Sequence, residues 1–508
     1  VSKGRVNAFS SATRPRSVHK KDKAIRHAKR KNTPQNVAGR RDPVFIYIPD
    51  GFEPSEVLPN QLQQHADSAC YLLHRIIWGR ATKRASESGF VNLKADYLRD
   101  VIPKRALKRL IDCLIDRNII ECDRYFIRGK KCFGYRLSND YFQRPIVRHQ
   151  LSGTKVAENI RRIRRVKYKS IRLDVHCHLR KQFRQLDINL EQALEDLAHL
   201  DSFEVVKIPA LQVANKDFRF SVCRYGRIHT DLTNCHSLIR SSLTVNGDHL
   251  VSIDIKNSQP LFLSLLLINY RRSGNRILPI KRFQDSSSNP YAGLDELIRK
   301  TVHPIILNTN NPQSPAVLLS NTTVQTVQGV SQDIAADEFR TTGGCPKARA
   351  VNNALLSNDE QWFVELCEQG RLYEQLMETA EIPVRSWAKE AMFEILYGKN
   401  TLRTPAKSCF TEMFPKVAEV VRVHKRKDHR FLARLLQNVE SDFVINTVCR
   451  RLMMERPEIP VFTIHDSIMT TPEHVEYVNR VFQDEFGDLG ITPKLQFTNY
   501  SRSNNHDK

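Results

Sequence analysis

The chain has 508 residues, a formal net charge of +24 and a 41% hydrophobic composition, enough for one large or two to three ordinary domains. A positive surplus of that size in a globular composition argues for a polyanionic partner, nucleic acid before membrane. Eleven cysteines without a Cys-x-x-Cys pair favour reduced thiols and give no zinc signal, and no apolar run reaches about eighteen residues, so neither a signal peptide nor a membrane span is expected. A cytoplasmic location follows, with a mitochondrial transit peptide as the alternative reading of the basic N-terminus.

Residues 1–43 carry Arg14, Arg16, Lys20, Lys21, Lys23, Arg26, Lys29, Arg30 and Lys31 among few apolar residues. They read as a disordered basic arm that binds phosphate without sequence choice. Over 44–145 the pattern turns globular. Helical periodicity in Leu62–Trp78 is followed by Val91-Asn92-Leu93, helices over Ala95–Val101 and Lys104–Arg117, and two short strands around Arg128-Gly129-Lys130. That order resembles a winged helix, with Arg105, Lys108 and Arg109 facing a groove and Arg128, Lys130 and Lys131 on the wing. A winged helix used only for protein contacts is the alternative.

Residues 146–222 read as a basic, helical connection, thumb-like in position, with Ile160-Arg-Arg-Ile-Arg-Arg and an amphipathic stretch over Leu186–Leu200. The charge run is either a grip on a duplex or a solvated face. Next, Val251-Ser-Ile-Asp-Ile reads as a strand with Asp254 inside an apolar run. Such a carboxylate is costly unless it is paired or binds a metal.

In Val384–Asn400, Arg385, Lys389, Phe393 and Tyr397 recur at steps of four and share one winding helix face. Gly398 is expected to end the helix in a left-handed C-cap, with Lys399 at the negative end of its dipole. Two cations followed by two aromatics suit a nucleoside triphosphate; an amphipathic helix with core aromatics and solvated bases is the alternative. Later, Pro460-Val-Phe-Thr-Ile-His-Asp-Ser-Ile-Met-Thr-Thr-Pro places Asp466 at a tight turn between two short strands. Two such aspartates on adjacent strands suit divalent ions with oxygen ligands.

In this order the segments resemble motifs A, B and C of family A DNA polymerases and of the single-subunit phage and mitochondrial RNA polymerases. The match covers roughly residues 220–485 and has the look of a divergent, compact member. Tyr225-Gly-Arg227, Ile239-Arg240, Cys409–Pro415 and Leu436-Gln437 resemble the lesser segments around those motifs. The resemblance implies an α+β right-hand polymerase fold (palm, fingers and thumb) over 223–508, with an insertion at about 273–380, behind the winged-helix-like module. It implies two Mg²⁺ ions, or Mn²⁺, held by Asp254, Asp466 and the Ile255 carbonyl. Asp254, Asp466 and Lys389 would be catalytic; Arg385, Lys389, Phe393, Tyr397 and Gly398 would hold the nucleoside triphosphate. Arg227, Arg240, Gln437 and His465 would contact primer and template, DNA being favoured, although Gln437 also reads as a helix-surface amide and His465 as a satisfied turn histidine.

The departures are as specific as the matches. Family A DNA polymerases place a glutamate just after the motif A Ser-Gln, whereas Ser258-Gln259 is followed by Pro260-Leu261, so ribose exclusion stays open. Two extra residues before Ser258, and Thr470 and Pro472 beyond motif C, resemble the RNA polymerases; Phe393 and Leu435 resemble the DNA polymerases. No Asp-x-Glu exonuclease site is present, so proofreading is not expected. The leading expectation is a DNA polymerase of a mobile element or virus, serving DNA replication. The alternatives are a single-subunit RNA polymerase or primase, and a non-catalytic nucleic-acid-binding protein that kept the fold.

Overall fold

Helix Ala66–Ala81 turns Leu72, Leu73, Ile76 and Ile77 inward at helical spacing. It is the first long element of the computed structural model, which describes residues 43–82, 84–151, 155–169, 171, 173–277 and 346–501. The expected basic arm lies outside the described residues except for Pro43, and so does the polar stretch 308–321 of the expected insertion.

Helices Ala95–Arg99 and Lys104–Asp116 follow. The second buries Ala106, Leu107, Leu110 and Leu114 and leaves Lys104, Arg105, Lys108 and Arg109 exposed. Val91–Asn92, Gly134–Leu137 and Ile120–Cys122 form an antiparallel sheet with Gly134–Leu137 in the middle. Gly79 permits the packing of helix on sheet, since a Cβ there would lie 2.2 Å from Val91 Cγ1. A strand unforeseen in the sequence, Phe45–Pro49, pairs along its length with Ile146–Gln150. That pairing ties the start of the region to Gln150. In the hairpin, Lys131 is bound to Asp123 at 2.7 Å, whereas Arg128 and Lys130 stay exposed.

Helix Leu190–Leu197 is shorter than the expected 186–200 stretch because Asp187–Ile188 is drawn into a strand beside Leu243–Val245, and Asn189 then caps the helix through the Gln192 amide. In the Lys155–Lys169 helix Arg162, Arg164 and Arg165 are exposed.

The central sheet is antiparallel, in the order Phe462–Ile464, Ser467–Thr470, Val251–Ile255, Leu495–Asn499. Val251–Ile255 is nearly all buried, as its β-branched run requires. Helix Ser258–Arg272, buried almost continuously from Pro260 to Asn269, packs on Phe431–Ser441 and Asn358–Glu368. Of the expected insertion, 273–277 and 346–380 are described, and the latter forms the helices Pro346–Leu355, Asn358–Glu368 and Leu372–Thr379. Phe363, Leu366, Cys367, Leu372 and Leu376 of these helices lie in the main hydrophobic core. The chain is thus α+β, with small antiparallel sheets. No helix among the described residues is long and apolar enough to cross a membrane.

Candidate active site

The register Ile253↔Ile468 sets Asp254 beside the end of the hairpin whose two-residue turn is His465-Asp466. His465 has φ +57°, an unusual setting for a non-glycine residue that the tight turn imposes. Asp254 and Asp466 are both half-buried, and neither has an ion pair among the described residues. Burial and then the Asp466 charge push the Asp254 carboxyl upward, opposed by Ser467 and Arg240. A carboxylate whose ionisation is made costly by burial and by a neighbouring carboxylate is one that a bound cation relieves. No group of three His, Cys, Asp or Glu among the described residues is placed to hold a metal. A pair of hard carboxylate oxygens fits Mg²⁺ or Mn²⁺ with water completing the shell, and does not fit a zinc-type site.

Asn257 follows directly. It holds φ +51° before the Ser258–Arg272 helix, and its buried side-chain oxygen and nitrogen have no partner among the described residues. A strained, unsatisfied amide three residues from Asp254 is the kind of feature that accumulates where ligands bind.

The Arg385–Tyr397 helix buries Ala388, Met392, Ile395 and Leu396. On the neighbouring face Arg385 and Lys389 are exposed, whereas Phe393 is half-buried and Tyr397 packs against the main core. Lys389 is exposed, 5.8 Å above the Phe393 ring, and Phe393 stacks on Tyr397 at 5.5 Å. Arg385 lies over Tyr373 and pairs with Glu374 at 2.8 Å, an exposed contact of little weight. Burial raises the Tyr373 phenol, and both Arg385 and Asp466 act on it with opposite signs.

Two expectations at the helix end are corrected. Gly398 is extended, at φ −68°, not left-handed. A glycine is needed there because a Cβ would lie 2.5 Å from the Glu394 carbonyl oxygen. The cation at the terminus is Lys425, not Lys399: its buried ammonium donates to the carbonyls of Ile395 at 2.5 Å and Gly398 at 3.0 Å. Burial, with Lys407 nearby, lowers Lys425 to about 8.

Arg227 binds Glu440 at 2.5 Å, and Arg240 donates to Tyr500 at 3.2 Å. His465 is exposed as a residue, yet partial withdrawal of its ring from water and the charge of Arg227 lower its pKa, against the opposing pull of Asp466. Gln437 is half-buried and makes no hydrogen bond among the described residues. Ile255 pairs with Leu495 on the far side of the Asp254 strand.

Sequence reasoning assigned no role to Glu440, 2% exposed, which accepts from Arg227, Gln259 and Ser258. Gln259 in turn accepts from the Tyr397 hydroxyl at 2.7 Å. The signal was a single glutamate in an otherwise apolar helix face, Leu435-Leu436-x-x-Val439-Glu440. No family model matches the chain, and no curated protein matches it in sequence.

Proposed function

We propose that the chain is a template-directed nucleotidyltransferase, a DNA polymerase of family A type without proofreading. The reading rests foremost on Asp254, on the Val251–Ile255 strand, and Asp466, in the turn of the hairpin that pairs with it, two carboxylates without an ion pair among the described residues, taken with a helix that presents Arg385 and Lys389. In this reading the central sheet is the palm, the Arg385–Tyr397 helix belongs to the fingers, and the region 146–222 stands as the thumb. The module before it is a winged helix that offers Lys104, Arg105, Lys108 and Arg109 to a duplex.

Bound Mg²⁺ would activate the attacking 3′-hydroxyl and steady the pyrophosphate. Asp254 and Asp466 hold that charge in place, with the Ile255 carbonyl beside them. Arg385 and Lys389 bind the triphosphate, and Lys389, exposed and without an acidic partner among the described residues, is free to follow the leaving group and protonate it. Phe393 and Tyr397 form a stacked floor for sugar and base. Arg227, Arg240, Gln437 and His465 line the primer side. A single-subunit RNA polymerase or primase is the second reading, favoured by one observation: a neutral amide, Gln259, meets the Tyr397 hydroxyl.

Extension of a labelled primer on a DNA template, with Mg²⁺ and with dNTPs or rNTPs supplied separately, tests the reading beside a primer-free reaction. Extension by dNTPs alone is expected. Product without primer, or efficient use of rNTPs, moves the protein to the second reading, and no product on DNA or RNA templates leaves only nucleic-acid binding.

A further inference from the structure

A buried carboxylate ties together three elements that meet only in the tertiary fold. Glu440, on helix Phe431–Ser441, accepts through one oxygen from Arg227 at 2.5 Å. Through the other it accepts from Gln259 Nε2, with Ser258 Oγ at 3.4 Å. Since the Gln259 amide nitrogen is spent on Glu440, its oxygen faces Tyr397 and takes the hydroxyl proton at 2.7 Å. Tyr397 stacks on Phe393, over which Lys389 sits. A continuous chain of contacts thus runs from Arg227 to the face that carries the triphosphate cation.

Burying a carboxylate to 2% exposure costs free energy that an apolar residue would not. The partners that Glu440 acquires all border the candidate site, and its charge fixes the polarity of the chain. Ionised, Glu440 is a pure acceptor, so Gln259 must donate to it and must accept from Tyr397. The Tyr397 hydroxyl then turns only its lone pairs outward, so a ligand hydroxyl that meets it has to be the donor.

We propose that Glu440 is a positioning residue for nucleotide binding: it locks the Gln259 amide and, through it, the Tyr397 hydroxyl that closes the sugar side of the pocket. This rests on the nucleotidyltransferase reading. Glu440→Gln is nearly isosteric but introduces a donor, which lets the Gln259 amide turn over and reverses the polarity at Tyr397.

Single-nucleotide incorporation on a primer-template at pH ~8, where Glu440 is ionised, measured for the full chain, Glu440→Gln, Tyr397→Phe and the double variant, tests it. Glu440→Gln is expected to raise the KM for the nucleotide about tenfold, with kcat within about threefold and primer-template affinity unchanged. The double variant is expected to be no worse than the poorer single one, because both break the same chain. Gln259→Met, which leaves the Arg227–Glu440 pair intact, is expected to reproduce the KM effect and covers the case in which Glu440→Gln fails to fold. An unchanged KM in both Glu440→Gln and Gln259→Met, or effects of Glu440→Gln and Tyr397→Phe that multiply, overturns the proposal while leaving the enzyme reading standing. An unsubstituted chain that incorporates no nucleotide removes both.

Discussion

Asp254 and Asp466 oppose each other electrostatically, which gives the single residue a testable signature. Asp254→Asn removes one of two neighbouring negative charges, so without metal it should raise the melting temperature, by about 2 °C. The same change should abolish synthesis and remove any stabilisation by Mg²⁺. Thermal melts with EDTA and with Mg²⁺ check both. A lower melting temperature in EDTA would mean that Asp254 is a folding residue. At Glu440, burial outweighs the Arg227 charge and raises the carboxyl from 4.5 to about 7. The folded state therefore holds a proton that the unfolded chain releases near 4.5. The corresponding stability is fully present below that pH and is lost as pH rises through about 7, on the order of 3 kcal/mol. Denaturant titrations from pH 5 to 8 should show this decline in the native chain and a flatter profile in Glu440→Gln.

Among elements, the Arg385–Tyr397 helix shows how a correct boundary can rest on a different cause from the one its sequence advertises. Its spacing sets the face, but its end is made by an extended Gly398 pressed against the Glu394 carbonyl and by Lys425, which follows helix Pro415–His424. If Gly398 were a left-handed cap, asparagine would be tolerated far better than alanine. Because the constraint is the missing Cβ, Gly398→Asn and Gly398→Ala should destabilise alike, by about 1–3 kcal/mol, in urea unfolding. A clear advantage of asparagine would restore the left-handed cap. The helix before the Asp466 hairpin has a similar local departure: Phe431–Ser441 runs into a π-helical stretch at Asp442–Cys449. The wider turn shifts the phase between Glu440 and the residues that lead to the hairpin.

At the scale of the whole molecule the excess of 24 positive charges predicts salt-dependent binding to duplex DNA. Affinity measured from about 50 to 200 mM salt should fall steeply. A chain lacking residues 1–43 should be weaker mainly at the low end, where the arm's charges are least screened. Equal affinity of the two chains at low salt would remove the arm from the interface. Among the described elements, helix Lys104–Asp116 exposes Lys104, Arg105, Lys108 and Arg109, while the central sheet carries Asp254 and, in a hairpin turn, Asp466.

The sequence by itself determined the elements whose signal is local. Periodicity marked the Arg385–Tyr397 helix and the shared side of its two cations, and the apolar run around Asp254 and the turn at His465-Asp466 marked the two strands. Only the tertiary structure decided which strands neighbour each other, because pairing between residues more than two hundred positions apart leaves no local pattern. It likewise decided that Phe45–Pro49 pairs with Ile146–Gln150, that Lys425 closes a helix thirty residues away, and that Glu440 reaches Gln259 and Arg227. A buried charge is legible in sequence as an oddity. Its partners are chosen by packing, since desolvation makes it seek whatever donors the fold brings within reach.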